Sequence, residues 1–225
     1  MGDAIGQMLP TAVGITISPL PIVAVVLMLA TPRGRSNGLA FVAAWIVALA
    51  VVMAVVVAAA GDHATDDDET PAGWVSWLKL ALGAVLLLMA ARRWVGRPRG
   101  DGDAPLPKWM GALDTFRPPK AAAAGAVLAA ANPKNLLLAV AGAAVIAQAE
   151  LGAGQAAGAI AIFVAIATLG VGAPVAIAFA MGDRSRGMLD DLRAWLAHHN
   201  AAIMTVLLLV IGVKLIGDAI SGFAA

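Results

Sequence analysis

The sequence predicts an all-α integral membrane protein: six transmembrane helices arranged as two inverted three-helix repeats, with broken helices in spans 1 and 4. Three observations carry this prediction. The chain has 225 residues, of which 61% are hydrophobic and 13% charged, with a mean hydropathy of +0.88. A soluble domain of this size carries charge on about a quarter of its residues. The apolar residues fall into six runs of about 20 or more, each long enough to cross about 30 Å of hydrocarbon. The basic residues gather in alternate connections between those runs.

Span 1 covers about residues 5–31. It opens MGDAIGQMLP, with an acid and no basic n-region, and its apolar run continues past any plausible cleavage point, so it reads as a membrane span and not a cleavable signal. Near its midpoint stands ISPLPI, residues 17–22. Pro19 and Pro21 have no N–H and release the carbonyls of Ile15 and Ile17, which predicts a break. Ser18 sits at that break, with Thr11 and Thr16 on nearby turns. Span 2, about 38–60, is uninterrupted. Span 3, about 72–92, carries Lys79.

Span 4, about 121–148, carries ANPKNL at residues 131–136. Pro133 cannot bond the carbonyl of Ala129, so a second break is expected at matching depth. Span 5, about 154–181, has Gly154 and Gly158 at the spacing of close helix contact. Its GVGAP, residues 170–174, has no proline counterpart in span 2. Span 6, about 199–222, carries Lys214 with Asp218 one turn on, a spacing that pairs them within the helix.

The connections set the orientation. Basic residues lie in 31–37 (Arg33, Arg35), in 92–120 (Arg92, Arg93, Arg97, Arg99, Lys108, Arg117, Lys120) and in 182–198 (Arg184, Arg186, Arg193). The opposite side holds the N-terminus, GDHATDDDETP, a short turn around Glu150 and the C-terminus, with no lysine or arginine. Basic loops stay cytoplasmic, so a multi-pass protein with both termini outside is expected. The chain reads as one polytopic membrane domain, 1–225: repeat one at 1–95, a basic cytoplasmic loop at 96–120 and repeat two at 121–225. Three spans per half make the halves run in opposite directions. LKLALG in span 3 and VKLIG in span 6 add to the correspondence of the two breaks.

Three of the fifteen lysines and arginines, Lys79, Lys134 and Lys214, lie inside predicted spans. A lysine at the centre of a membrane helix costs about 3 kcal/mol on insertion scales and survives where protein or a water-filled cavity surrounds it. Ser18, Pro19, Pro21, Asn132, Pro133, Lys134 and Asn135 are therefore the candidate substrate-binding residues. Lys79, Lys214 and Asp218 are candidate pathway residues. Lys79 and Lys214 lie roughly two turns from the outer face, within reach of it through their four-carbon stems. Three lysines against one aspartate favour an anionic or zwitterionic substrate over a cation.

Other classes are disfavoured. There is no cysteine, which excludes disulfides, thiolate metal sites and thiol redox chemistry. His63, His198 and His199 lack the spacing of a helical metal pair. No nucleophile–base pair, metal cluster or phosphate loop is visible, so neither an enzyme nor a cofactor is expected. A net charge of +1 with no basic domain gives no purchase on nucleic acid. Trp74 and Trp77 on one side, and Trp94, Trp109 and Trp195 on the other, read as interfacial anchors.

The six-span plan, the proline-rich break of span 1 and the NPK of span 4 resemble the LysE superfamily of exporters. More closely, LPTAVGITISPLPIVAVVLMLATPRGRSNGLAF, residues 9–41, resembles the start of the GAP family, which includes sulfolipid-addressing (Sap-like) proteins. The resemblance implies an inner-membrane exporter moving lipids or glycolipids toward the cell envelope. Amino-acid exporters of the superfamily show P-G-P in span 1, where this chain has Ser18-Pro19-Leu20-Pro21. Redox relatives use membrane cysteines, and relatives that expel nickel or cobalt are His-rich; this chain is neither.

The expected function is thus secondary transport or export of a small anionic or zwitterionic solute or envelope (glyco)lipid, with a midplane site between broken helices 1 and 4. The alternative is a non-transporting scaffold for envelope-lipid assembly. Expected partners are membrane lipids, the transported solute or lipid, and further copies of the chain in a homo-oligomer. In this cysteine-free chain, Asp67→Cys and Arg99→Cys should label from opposite faces: the first in intact cells, the second only after permeabilisation. Labelling of both from outside by an impermeant maleimide refutes the topology.

Overall fold

The computed structural model describes residues 1–62, 71–95, 116–149 and 151–224. Every regular element among them is helical. In order they are α1 (Gly2–Thr16), α2 (Pro19–Leu29), α3 (Gly34–Asp62), α4 (Pro71–Val95), α5 (Pro118–Ala126), a π-helical turn (Val127–Ala131), α6 (Pro133–Gln148), α7 (Ala153–Met181), a 3-10 turn (Gly182–Arg184) and α8 (Ser185–Ala224). Residues 63–70, most of the basic connection and Glu150 lie outside the described residues.

Three segments are long and apolar enough to cross a membrane: Gly34–Ala60, Ala153–Met181 and Ala202–Phe223. Two bent pairs bring the candidates to five among the described residues: α1 with α2, at 49°, and Pro118–Ala131 with α6, at 61°. Both bends fall where the sequence places them. The residue before a proline is pushed out of the helical region by the ring. Ser18, Asn132 and Arg117 all precede prolines and all are extended. Each following proline then starts a helix, where its missing N–H costs nothing. Pro10 and Pro174, by contrast, lie inside α1 and α7, and both helices continue through them. That explains why GVGAP needs no counterpart in the other half: α3 and α7 are both unbroken and both 29 residues long.

The third expected span falls on α4, which carries Lys79, Arg92 and Arg93 and is not among the candidate spans found in the described residues. One expected loop is largely absent. The connection 182–198 shrinks to the turn Gly182–Arg184, and α8 runs on for 40 residues from Ser185. The stretch has no proline, and Gly182, at φ 57, supplies the left-handed turn that lets α8 start immediately after α7. α5 likewise begins at Pro118, inside the expected basic loop.

The packing exchanges elements between the halves. α1 lies against α6 and α7, α3 lies against α5, α6 and α7, and α4 lies against α8. The broken helix of each half thus packs on the unbroken helix of the other. Glycines make these approaches close. A β-carbon at Gly170 of α7 would overlap the carbonyl of Thr16, and one at Gly125 of α5 would overlap the carbonyl of Phe41. Gly83 and Gly212 face each other across α4 and α8, each 2.9–3.1 Å from the other's carbonyl by the same measure. Gly154 and Gly158 do not have the packing role their spacing suggests. Nothing lies within 4 Å of a β-carbon at Gly154, and only the Met1 methyl, at 3.3 Å, approaches one at Gly158.

Between the helices Met8, Phe41, Trp45, Leu138 and Phe163 are fully buried. Val47, Val51 and Val55 on α3 and Val206, Val210 and Val213 on α8 are exposed along single helix faces, as lipid-facing stripes require. Overpacking a close helix contact costs about 1–3 kcal/mol. Gly125→Ala and Gly170→Ala should each lower thermal stability in detergent by that order, while Gly154→Ala leaves it unchanged. Equal stability of all three would show that the close approaches do not hold the bundle together.

Candidate functional site

The two breaks meet. At the first, the Ser18 N–H turns back to the carbonyl of Ile15 at 3.1 Å. The Gly14 carbonyl, which a continuous α-helix would pair with Ser18, is thereby left open. The ammonium of Lys134 donates to it at 2.7 Å across the two halves of the chain. Lys134 is 5% exposed, so a bond to protein takes the place of water.

The second break is prepared one turn earlier. The π-helical turn Val127–Ala131 shifts the hydrogen-bond register by one residue. In that register the donor for the Leu128 carbonyl is residue 133, a proline. The Asn135 amide donates to this carbonyl at 2.9 Å, and its Oδ1 accepts from the Ser18 hydroxyl at 2.8 Å. Asn132 faces its own helix and caps α6 by accepting from the Lys134 N–H at 3.1 Å. Thr16 Oγ1 donates to the Ile166 carbonyl of α7 at 2.6 Å, whereas Thr11 bonds within α1.

The structure therefore brings Ser18, Lys134 and Asn135 into one buried polar cluster framed by Pro19, Pro21 and Pro133. Among the described residues, Lys134 Nζ has one acceptor, the Gly14 carbonyl, for its three N–H groups. This arrangement ties two helices together, and it leaves donors that an anionic group can take.

The other candidate residues lie at the far end of α6. Lys79 does not reach for a surface. It is buried, and its ammonium donates to Gln148 Oε1 at 2.5 Å. Gln148 was not singled out from the sequence; its one signal is that it is a lone amide in the last turn of an apolar helix. Lys214 and Asp218 pair within α8 at 2.6 Å, as their spacing predicts. Trp77, Trp94 and Trp195 are exposed, the first edge-on to Phe223 at 5.0 Å. The side chains of Trp74 and Trp109, and His63, lie outside the described residues. Among the described residues no group of histidines and carboxylates is placed to hold a metal.

Paired helix breaks closed by buried polar side chains, inside a bundle with apolar outer faces, define a polytopic membrane protein. The family model described as Sap, sulfolipid-1-addressing protein, matches residues 8–221, and the chain belongs to that family. The match takes in both breaks, and it makes this a membrane protein tied to lipid handling. Comparison with curated proteins and with solved structures finds no match.

The bonds across the breaks have measurable consequences. Lys134→Met keeps most of the stem and leaves the Gly14 carbonyl unpaired, a loss of about 1–3 kcal/mol of stability. A double-mutant cycle on Ser18→Ala and Asn135→Ala should show a coupling of about 0.6–1.7 kcal/mol, the range for hydrogen bonds between membrane helices. Thermal or denaturant unfolding in detergent reads both. Full stability of the methionine variant, or zero coupling, removes the cluster as a structural tie.

Proposed function

We propose that the chain is an inner-membrane secondary transporter that exports an anionic or zwitterionic solute or envelope (glyco)lipid, with the paired breaks as its binding and switching point. The observation that carries this reading is the Lys134–Gly14 bond. A buried ammonium rests on a neutral backbone carbonyl that is exposed only because α1 is broken. An anionic headgroup is a stronger partner for that ammonium than a carbonyl. Its arrival releases the Gly14 carbonyl and loosens the tie between α1 and α6, so that the bent pairs can reorient. Ser18, Asn132 and Asn135 supply further donors and acceptors at the same level, and Pro19, Pro21 and Pro133 keep the helices from closing over them.

The arrangement of helices supports the reading. Each half presents a bent pair, an unbroken 29-residue helix and a further helix, and the halves exchange contacts. With α4 as the third span, this is the order of an inverted repeat, in which one half rocks against the other about a midplane site. Positive-inside orientation puts Arg33 and Arg35 at the cytoplasmic end. Lys79, Lys214 and Asp218 then form the outward part of the pathway. No covalent step is proposed, because the groups at the breaks are amides, a hydroxyl and an amine. The family's description as sulfolipid-addressing favours an envelope lipid with an acidic headgroup as the cargo.

The test is flux. Purified protein in liposomes should move a fluorescent short-chain sulfated glycolipid from one leaflet to the other. Pro19→Ala with Pro21→Ala lets the helix continue. It should slow that movement roughly tenfold or more, equivalent to about 1.4 kcal/mol on the barrier, with a smaller effect on thermal stability. No movement by the wild-type protein rejects transport and favours the scaffold; unchanged flux in a folded double variant reduces the break to packing.

A further inference from the structure

The basic end of the bundle holds a cavity of about 660 Å³ that neither the break residues nor the proposed transport step uses. It opens where α2 ends, α3 begins, and α7 passes into α8. Arg33 and Arg35 line its polar side; Val26, Leu29 and Leu189 line its apolar side. We propose that this cavity is a binding site for the headgroup of an anionic lipid, in which the two guanidiniums hold a phosphate or sulfate group and the apolar wall takes the start of the acyl chains.

Four features point to this ligand. First, among the described residues neither Arg33 nor Arg35 is in an ion pair. Second, Arg35 is placed rather than loose. Its guanidinium lies over the Phe179 ring at 5.5 Å, and its Nη2 sits 3.6 Å from where a β-carbon on Gly182 would be. A stacked, planar guanidinium keeps its forked donors free for an oxyanion. Third, the turn that presents both arginines is tightly built. The Gly34 N–H bonds the Thr31 carbonyl at 2.9 Å, and a β-carbon on Gly34 would overlap the carbonyl of Leu29. The same turn begins α3, whose positive dipole end adds to the field of the guanidiniums.

Fourth, the cavity is larger than a bare oxyanion needs. At about 30 Å³ per water molecule, the cavity holds roughly twenty, far more than a tetrahedral oxyanion displaces. It falls in the ordinary range for small-molecule sites, about 300–1,000 Å³. An oxyanion attached to an apolar body fills both the arginine side and the wall of Val26, Leu29 and Leu189.

Binding of dioctanoyl phosphatidic acid to the full chain in detergent, followed by thermal stabilisation across a concentration series, tests the site. Dioctanoyl phosphatidylcholine and inorganic phosphate are the comparison ligands. Phosphatidic acid should bind saturably, with the other two at least about tenfold weaker, the scale of one charge-assisted hydrogen bond. Arg33→Gln with Arg35→Gln should weaken it by about ten- to a hundredfold. Arg33→Lys with Arg35→Lys, which keeps the charge, should retain binding within about tenfold, showing that the glutamine variant lost anion contacts and not its fold. Arg184→Gln, an exposed arginine at the same end that does not line the cavity, should bind as wild type. Equal binding of phosphatidylcholine or inorganic phosphate overturns the assignment. So does wild-type affinity in the double glutamine variant, or an equal loss in Arg184→Gln. The readout is binding alone, so it stands or falls independently of the flux measurement.

Discussion

A helix interrupted inside a membrane has to satisfy its released carbonyls from within the protein, because lipid offers no donors. Everything at the centre of this molecule follows from doing that twice. Each proline that ends a helix also begins the next one, so the residues just after it project from a first turn toward the other break. Lys134 and Asn135 are consecutive in that first turn of α6. One reaches back to Leu128 in its own half, and both reach the first break, at Gly14 and Ser18. The two interruptions complete one another. A single break of either kind would leave carbonyls, or a lysine, without a partner in a low-dielectric interior.

That mutual completion demands close backbones, and the glycines are placed accordingly. A β-carbon at Gly14 would stand 2.9 Å from a Leu138 methyl and 2.6 Å from an Ile211 methyl. Its absence lets α6 and α8 close on α1 near enough for the lysine to reach the carbonyl. Gly170 and Gly125 do the same for the crossed contacts, α7 on the end of α1 and α5 on α3. In a membrane, where apolar burial does not drive helices together, such contacts and the hydrogen bonds they allow supply the cohesion. The exchange of partners between halves then keeps both breaks at one level.

What the sequence disclosed follows the same physics. Prolines act through bonds they cannot make, so the breaks at Ser18 and Asn132 were readable from ISPLPI and ANPKNL alone. Lys214 and Asp218 were readable because their pairing is local to one helix. The partner of Lys79 was not, since Gln148 is 69 residues away and only tertiary packing joins them. The glycine spacing at Gly154 and Gly158 misled for the opposite reason: small residues permit close approach but do not compel it, and here only the Met1 methyl comes near, at Gly158. The long α8 was hidden by its charges. Arg184, Arg186 and Arg193 signal a side of the membrane and say nothing against helix, so a loop reading of 182–198 confused orientation with conformation. The register shift at Val127–Ala131, which decides that Asn135 meets Leu128, has no sequence mark in a run of alanines and aliphatics.

The resting partners of the cations bear on how a transported anion could travel. α6 carries Lys134 in its first turn and reaches Lys79 through Gln148 in its last, a separation of about 21 Å at 1.5 Å per residue. No single small headgroup spans that distance, so on the proposed reading it must exchange one cation for the next. Exchange is easiest where the cation's resting partner is neutral, because an incoming anion then forms an ion pair without breaking one. Lys134 rests on a carbonyl and Lys79 on a carboxamide. Lys214 alone rests on a carboxylate, Asp218, with both side chains 30% exposed. On that reading an anion passing from Lys134 to Lys79 stays in buried surroundings, since both lysines are 5% exposed, and meets solvent, with an aspartate competing for the cation, only at Lys214. The two buried lysines can hold an anion, while the paired lysine holds it poorly. On the proposed reading, that difference in partners favours release of an anion at Lys214 over retention there.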